Sequence, residues 1–241
     1  MAEQHDLFAA GVAEAAPVGM LAAGGRCADL QGRFAAHGLA GLDEGDTLAL
    51  VLDHCLAPGA DAVSAADALM ARFGGVARVL GASEADAARV IGAGPARRLA
   101  LLHGLLLRTL EHPLRARPVL TTGEAVRTYL RARLAGLPRE VFHVLFLDIK
   151  NRLIADERMS AGTVDHAPVY PREVVRRALE LSASALVLAH NHPSGDPTPS
   201  KADIDMTQQL VAAARALRIA VHDHVVVGGD QVASLRGLGL M

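Results

Sequence analysis

The sequence predicts an α/β (α+β) domain built on one central sheet with flanking helices, preceded by a small, wholly helical domain. Two observations carry this expectation. From Asp46 to about Leu107 the apolar residues recur at helical spacing, whereas from Val141 onward short aliphatic runs alternate with helical stretches. Between them, Glu111 to Gly123 is punctuated by Pro113, Pro118 and Thr121-Thr122-Gly123, which is the composition of a connecting segment. The expected organisation is a weakly ordered lead-in over 1–40, a helical domain over 41–112, a linker over 113–122 and the α/β domain over 123–241.

Each element has a local reason. Residues 1–40 are rich in Ala and Gly and keep no sustained period. Leu48, Leu50, Val51, Leu52 and Leu56 fall mostly on one helical face, and Ala57-Pro58-Gly59 ends that helix. A second helix is expected to start near Ser64 as N-cap and to stop at Gly74-Gly75; a third starts at Ser83, with Glu84 and Asp86 favourable in its first turn. Past the linker a helix covers Gly123 to Leu134. Strands at Val141–Leu147 and Leu153–Met159 are joined by the turn Asp148-Ile149-Lys150-Asn151. Pro171 suits the start of a helix to about Leu181. Leu186 to His190 reads as a buried strand and Ser200 to Leu217 as a helix, with Ile219–Val227 and Val232–Leu235 completing the sheet.

Composition narrows the class. Of 241 residues 51% are hydrophobic and 21% charged, enough for a packed core, and with no Trp and few Phe or Tyr that core is aliphatic. Cys27 and Cys55 are the only cysteines, which excludes a disulfide framework and a cysteine-based zinc site and points to a reducing compartment. The chain opens on acidic residues, its first apolar stretch is broken by Glu14 and Pro17, and no apolar run reaches membrane-spanning length. A cytoplasmic protein with no membrane partner is expected. Charge is uneven: residues 1–70 carry ten acidic and two basic side chains, while 97–139 carry nine Arg against Glu111 and Glu124. The Arg-rich stretch is either a solvated helix face or a surface that attracts phosphate.

Within that stretch, Val90-Ile91-Gly92-Ala93-Gly94-Pro95 leads into Arg97 and Arg98 and a long apolar helix. This resembles a helix-hairpin-helix element, in which glycines let backbone N–H groups approach a phosphate at the following helix N-terminus. Gly92, Gly94, Arg97 and Arg98 are therefore the candidate DNA contacts, with a plain tight turn between packed helices as the alternative.

The densest chemistry lies at 185–205. The apolar run Ala185–Ala189 ends in His190-Asn191-His192, a Pro/Gly turn follows, and Ser200 and Asp203 open a helix. The strand is expected to end here, so that the backbone turns and brings both imidazoles to one side. Asp203 and Ser200 share about one helical turn and face the same point. Two imidazoles and a carboxylate make a three-ligand zinc (Zn2+) site with one position left open. Ser200 is also a strong N-cap candidate.

The order His190-x-His192, seven residues, Ser200, two residues, Asp203 resembles the signature of the JAMM (MPN-type) metallohydrolases. The surrounding His190-Asn191-His192-Pro193-Ser194-Gly195-Asp196-Pro197 and Asp223-His224 resemble the bacterial RadC family, described as DNA repair proteins, whose members also carry a helix-hairpin-helix segment. The resemblance is strong from Val141 onward and looser over 40–140. Where the family has a Leu-rich stretch ending in Arg-Thr-Gly, this chain has Leu50-Val51-Leu52-Asp53-His54-Cys55-Leu56.

The resemblance implies an MPN/JAMM-like mixed sheet and zinc-activated water attacking a peptide or isopeptide bond in a peptide or protein substrate. It also implies an upstream glutamate as general base. Glu140 fits that role, just before the first strand of the domain, with Glu157 and Glu173 as alternatives. Ser200 would donate a hydrogen bond to the oxyanion, and Asn191, Asp223 and His224 would support the ligands. The competing expectation is a DNA-associated repair protein that binds through the hairpin, with the metal domain structural or accessory.

Overall fold

The computed structural model describes residues 24–119, 123–161 and 169–241. The chain is a helical region followed by a five-stranded mixed sheet with helices on both faces. The helical region comprises α1 (Gly24–His37), a 3-10 turn (Gly38–Gly41), α2 (Glu44–Asp53), α3 (Ala62–Phe73), α4 (Val76–Gly81), α5 (Glu84–Ile91) and α6 (Ala93–Ala116). Its core gathers Leu30, Leu48, Leu52, Leu69, Val79 and Leu99.

Side chains cap these helices where the sequence allows. Asp43 and Asp46 form a capping box at α2, and the Ser83 hydroxyl accepts from the Asp86 N–H at α5. The cap of α3 is Asp61 rather than Ser64: the Asp61 carboxylate accepts from both the backbone N–H and the hydroxyl of Ser64. Residues 24–37, expected to be part of a weakly ordered lead-in, are helical because Cys27 and Leu30, three apart, both reach the buried interior. Residues 1–23 of that lead-in lie outside the described residues.

Helix α6 extends further than expected, through Pro113 to Ala116, so the first residues of the anticipated linker form its last turn. Leu99 near its start packs in the helical core, while the fully buried Leu114 packs in the core of the sheet. Burial of such a leucine contributes about 1.5–3 kcal/mol, comparable with the roughly 3 kcal/mol that an interior proline costs. No helix among the described residues is long and apolar enough to cross a membrane.

The second half begins with α7 (Gly123–Leu134) and continues through β1 (Val141–Leu147), β2 (Leu153–Ala161), α8 (Pro171–Glu180), β3 (Ala185–Asn191), α9 (Lys201–Ala216), β4 (Ala220–Gly228) and β5 (Gln231–Ser234). The strand order is β2-β1-β3-β4-β5. Only β3 and β4 are parallel, joined by the crossover through α9. The two central strands are buried on both faces, and alternation divides their residues. Leu145, Leu147, Val187 and Ala189 pack under α6 and α7, while Phe142, Val144, Phe146, Leu186 and Leu188 pack under α8 and α9. On the first face Asp156 of β2 accepts from the Tyr129 hydroxyl at 2.6 Å and contacts His143 Nδ1 at 2.7 Å, fastening α7 to the sheet.

The helical region meets the sheet domain at a backbone-to-backbone contact. Gly81 at the end of α4 abuts Gly136 in the segment between α7 and β1, and a Cβ on Gly136 would lie 2.0 Å from the Ala77 carbonyl oxygen. Gly136→Ala is therefore expected to force the two parts aside at a cost of about 1–3 kcal/mol. At this chain length that lowers the melting temperature by roughly 2–10 °C. An unchanged thermal unfolding midpoint would show that the seam is not packed this way.

Candidate metal centre

The β1–β3 register sets up the site. Phe142 pairs with His190 in an antiparallel ladder, so the start of β1 lies beside the end of β3. His190 and His192 are two apart and lie on the same side of the sheet, with Asn191 directed to the other. No departure from strand geometry is needed, contrary to the expectation of a turn at the strand end, because side chains on a strand repeat every second residue. His192 still follows the ladder, its backbone N–H donating to the Val227 carbonyl at 2.8 Å.

The third group comes from the first turn of α9. Ser200 is its N-cap: the hydroxyl accepts from the Asp203 N–H at 3.2 Å, and Asp203 Oδ2 accepts from the Ser200 N–H at 2.7 Å. This capping box aims the carboxylate as well as starting the helix. The His190 and His192 Nε2 atoms are 3.0 Å apart, with Asp203 Oδ1 3.4 Å from the first and Oδ2 3.5 Å from the second. Among the described residues this is the one His/Cys/Asp/Glu group able to hold a metal ion.

The spacing fits zinc. Ligands at 2.0–2.1 Å in a tetrahedron stand about 3.3–3.4 Å from one another, and the three observed separations bracket that value. Asp203 is strongly biased towards its charged form: burial opposes ionisation, but contacts with His190 and His192 and the Ser200 hydrogen bond outweigh it and hold the carboxyl far below its usual range. The same carboxylate raises the pKa of His192 against its partial burial, with the Asp196 carbonyl and the Glu140 charge adding to the effect.

Both rings are held from behind. His192 Nδ1 lies 2.8 Å from the Asp196 carbonyl oxygen, the role served by the turn after Pro193. His190 Nδ1 lies 2.8 Å from His224 Nε2, and His224 Nδ1 lies 2.6 Å from the Thr207 hydroxyl. Phe142 stacks near His190 and meets His224 edge-on, an apolar floor beneath the group. Burial drives the pKa of His224 well down, so its ring is neutral.

Glu140 stands immediately before β1, close enough for its charge to act on His192, and it makes no ion pair among the described residues. The alternatives are engaged elsewhere. Glu157 forms a two-pronged pair with Arg177 at 2.6 and 2.7 Å, and Glu173 pairs with Arg172 and Arg176 in the first turn of α8. Asn191 fixes the segment that carries Glu140. Its Oδ1 accepts from the Val141 N–H at 2.9 Å, and its Nδ2 donates to the carbonyls of Leu137 and Arg139 at 3.3 and 3.1 Å. Asn191→Ala is expected to retain the metal site yet release this segment, raising the hydrogen-exchange rate of the Val141 amide about tenfold or more, since a lost buried partner costs about 1–3 kcal/mol. Unaltered protection of that amide would contradict the clamp.

Other expected residues lie apart from the metal group. Asp223 points to the opposite face from His224 and accepts from the His224 backbone N–H at 2.7 Å, the Ser234 hydroxyl at 2.6 Å and the Arg236 N–H at 3.2 Å, tying the strand that carries His224 to the end of β5. At the expected hairpin, α5 and α6 are separated by Gly92 alone, with φ +84, and Gly94 is already inside α6. Arg97 pairs with Glu84 at 3.1 Å, and Arg98 donates to the Cys55 carbonyl at the end of α2.

Thr207 escaped the sequence reading. Its signal was available: a polar residue four after Asp203, in the buried stripe of α9 shared with Leu210 and Ala214. A family model described as RadC-like JAB domain matches residues 120–240, from just before α7 to beyond the last strand.

Proposed function

From the premise that this chain belongs to the RadC family and carries its MPN/JAB-type domain, we propose that it is a zinc-dependent hydrolase of peptide or isopeptide bonds. One observation carries the reading: His190, His192 and Asp203 converge at zinc-like spacing, within reach of the charge of Glu140, a carboxylate with no ion-pair partner among the described residues. His190 Nε2, His192 Nε2 and Asp203 would hold the ion. Zinc bound there supplies Lewis-acid activation of water and polarisation of the scissile carbonyl.

The chain's own groups do the rest. Glu140 takes the proton of the attacking water and passes it to the leaving amine. Asn191 keeps that carboxylate in place through its three hydrogen bonds to residues 137–141. Ser200 Oγ already accepts from the Asp203 N–H, but its hydroxyl proton is not spent in that bond and can be donated to the developing oxyanion.

The test is zinc-loaded protein assayed against fluorogenic linear peptides and isopeptide-linked peptides. Chelator-sensitive cleavage restored by zinc supports the reading. Fully zinc-loaded protein that cleaves neither class rejects it. The nucleic-acid reading rests on the Gly92 turn and the Arg-rich stretch, where Arg97 is exposed and paired with Glu84 and Arg98 is bound to the Cys55 carbonyl.

A further inference from the structure

The two rings that would ligate zinc can do so only if their Nε2 atoms carry lone pairs. For His192 the Asp196 carbonyl at Nδ1 can only accept, so Nδ1 carries a proton and Nε2 is the nitrogen left for a metal. For His190 the partner is another histidine, and the answer must be traced further.

We propose that Thr207 and His224 are positioning residues that hold His190 with its proton on Nδ1, leaving Nε2 as the donor to the metal. The proposal rests on the metal-holding reading above. It starts from the end of the hydrogen-bond chain whose polarity is fixed. The Asp203 backbone carbonyl accepts only, and Thr207 Oγ1 lies 2.5 Å from it, so the single threonine proton goes there. Thr207 Oγ1 must then accept from His224 Nδ1 at 2.6 Å.

His224 has no exposed surface, and its ring hydrogen bonds among the described residues go to Thr207 and His190 alone. A buried ring with no carboxylate bound to it is neutral. With its proton on Nδ1, His224 presents a lone pair at Nε2, and His190 Nδ1 at 2.8 Å must donate to it. Running the chain in the opposite sense fails at its far end, where Thr207 would give its proton to His224 and face the Asp203 carbonyl with none between them.

The path also closes a ring in space. It starts at one ligand, His190, crosses β4 at His224 and returns through Thr207 to the helical turn that carries Asp203. One buried hydroxyl thereby fixes the tautomer of the first ligand and the backbone of the third.

The decisive measurement needs no substrate. In metal-free wild-type protein, imidazole nitrogen–proton correlation spectra should report Nδ1–H tautomers for both His190 and His224. An Nε2–H tautomer at either ring overturns the proposal. Thr207→Val keeps the shape but removes donor and acceptor; it should abolish the His224 Nδ1–H signature and weaken zinc binding, in competition with a chelating dye, by roughly 10–100-fold. Thr207→Ser should restore both to within a few-fold. Wild-type zinc affinity in a folded Thr207→Val protein also overturns the proposal. Because the tautomers are read without metal, they decide this question even if the wild type binds no zinc, an outcome that would reject the hydrolase reading instead.

Discussion

A His190→Ala variant is expected to purify with almost no zinc, and the wild type with about one ion per chain. The ring supplies one of only three protein donors, and the two left, His192 and Asp203, come from different elements with nothing between them to fix a coordination sphere. The substitution also leaves His224 Nε2 without its donor, so folding must be checked separately. Asp203→Asn provides that check: a side-chain oxygen can still accept from the Ser200 N–H and keep the helix cap, while the charged ligand is lost. It should fold and still bind zinc poorly. Ser200→Ala works in the opposite sense, costing about 1 kcal/mol of cap while leaving all three ligands in place. Metal content measured by atomic emission after purification without chelators distinguishes the three. A folded His190→Ala protein retaining about one zinc would remove the site from His190.

Glu140→Gln is expected to keep its zinc and lose turnover by about 10²- to 10⁴-fold, the usual contribution of a positioned proton-transfer group. Glutamine preserves size and hydrogen-bonding length but cannot take up the proton of the attacking water. No hydrogen bond that positions the three groups runs through Glu140, since they are held by Asp196, His224 and the Ser200 cap. Glu157→Gln should break the pair with Arg177 on the edge strand and leave turnover close to wild type. Rates on a cleaved peptide or isopeptide substrate, normalised to bound zinc, decide the matter. A Glu140→Gln enzyme of unchanged rate would return the role of base to another group.

Much of the sheet domain was legible because its signals are local. The run Val141–Leu147, the Pro171 start and the strand at Leu186–His190 each have an apolar pattern bounded by a breaker, and the observed elements agree to within a residue or two. The convergence of His190, His192 and Asp203 was legible for the same reason, since all three fall within fourteen positions of one another. What could not be read depends on distant partners. Helix α1 exists because Cys27 is buried and Leu30 finds the helical core, and α6 continues through Pro113 because Leu114 finds the core of the sheet. The short α4, wedged between glycines, has too few residues to show a period. The link from His190 to Thr207 passes through a parallel strand pairing and a helix crossover, which no spacing in the sequence announces. Asn191 was noticed for its place between two histidines, but its hydrogen bonds lie fifty residues upstream.

The glycine seam has a consequence for how the chain can be divided. The segment from Ala135 to Glu140 is restrained twice, by Asn191 from the metal strand and by Gly81 and Ala77 from the helical region. His190, His192 and Asp203 have no such double dependence, for they sit at a strand end and a helix start of the sheet domain itself. The three converging groups thus belong to the second half alone, whereas the placement of Glu140 belongs to the chain as a whole. Severing the two halves would leave those three groups on their own strand and helix while releasing one of the two restraints on the Glu140 segment.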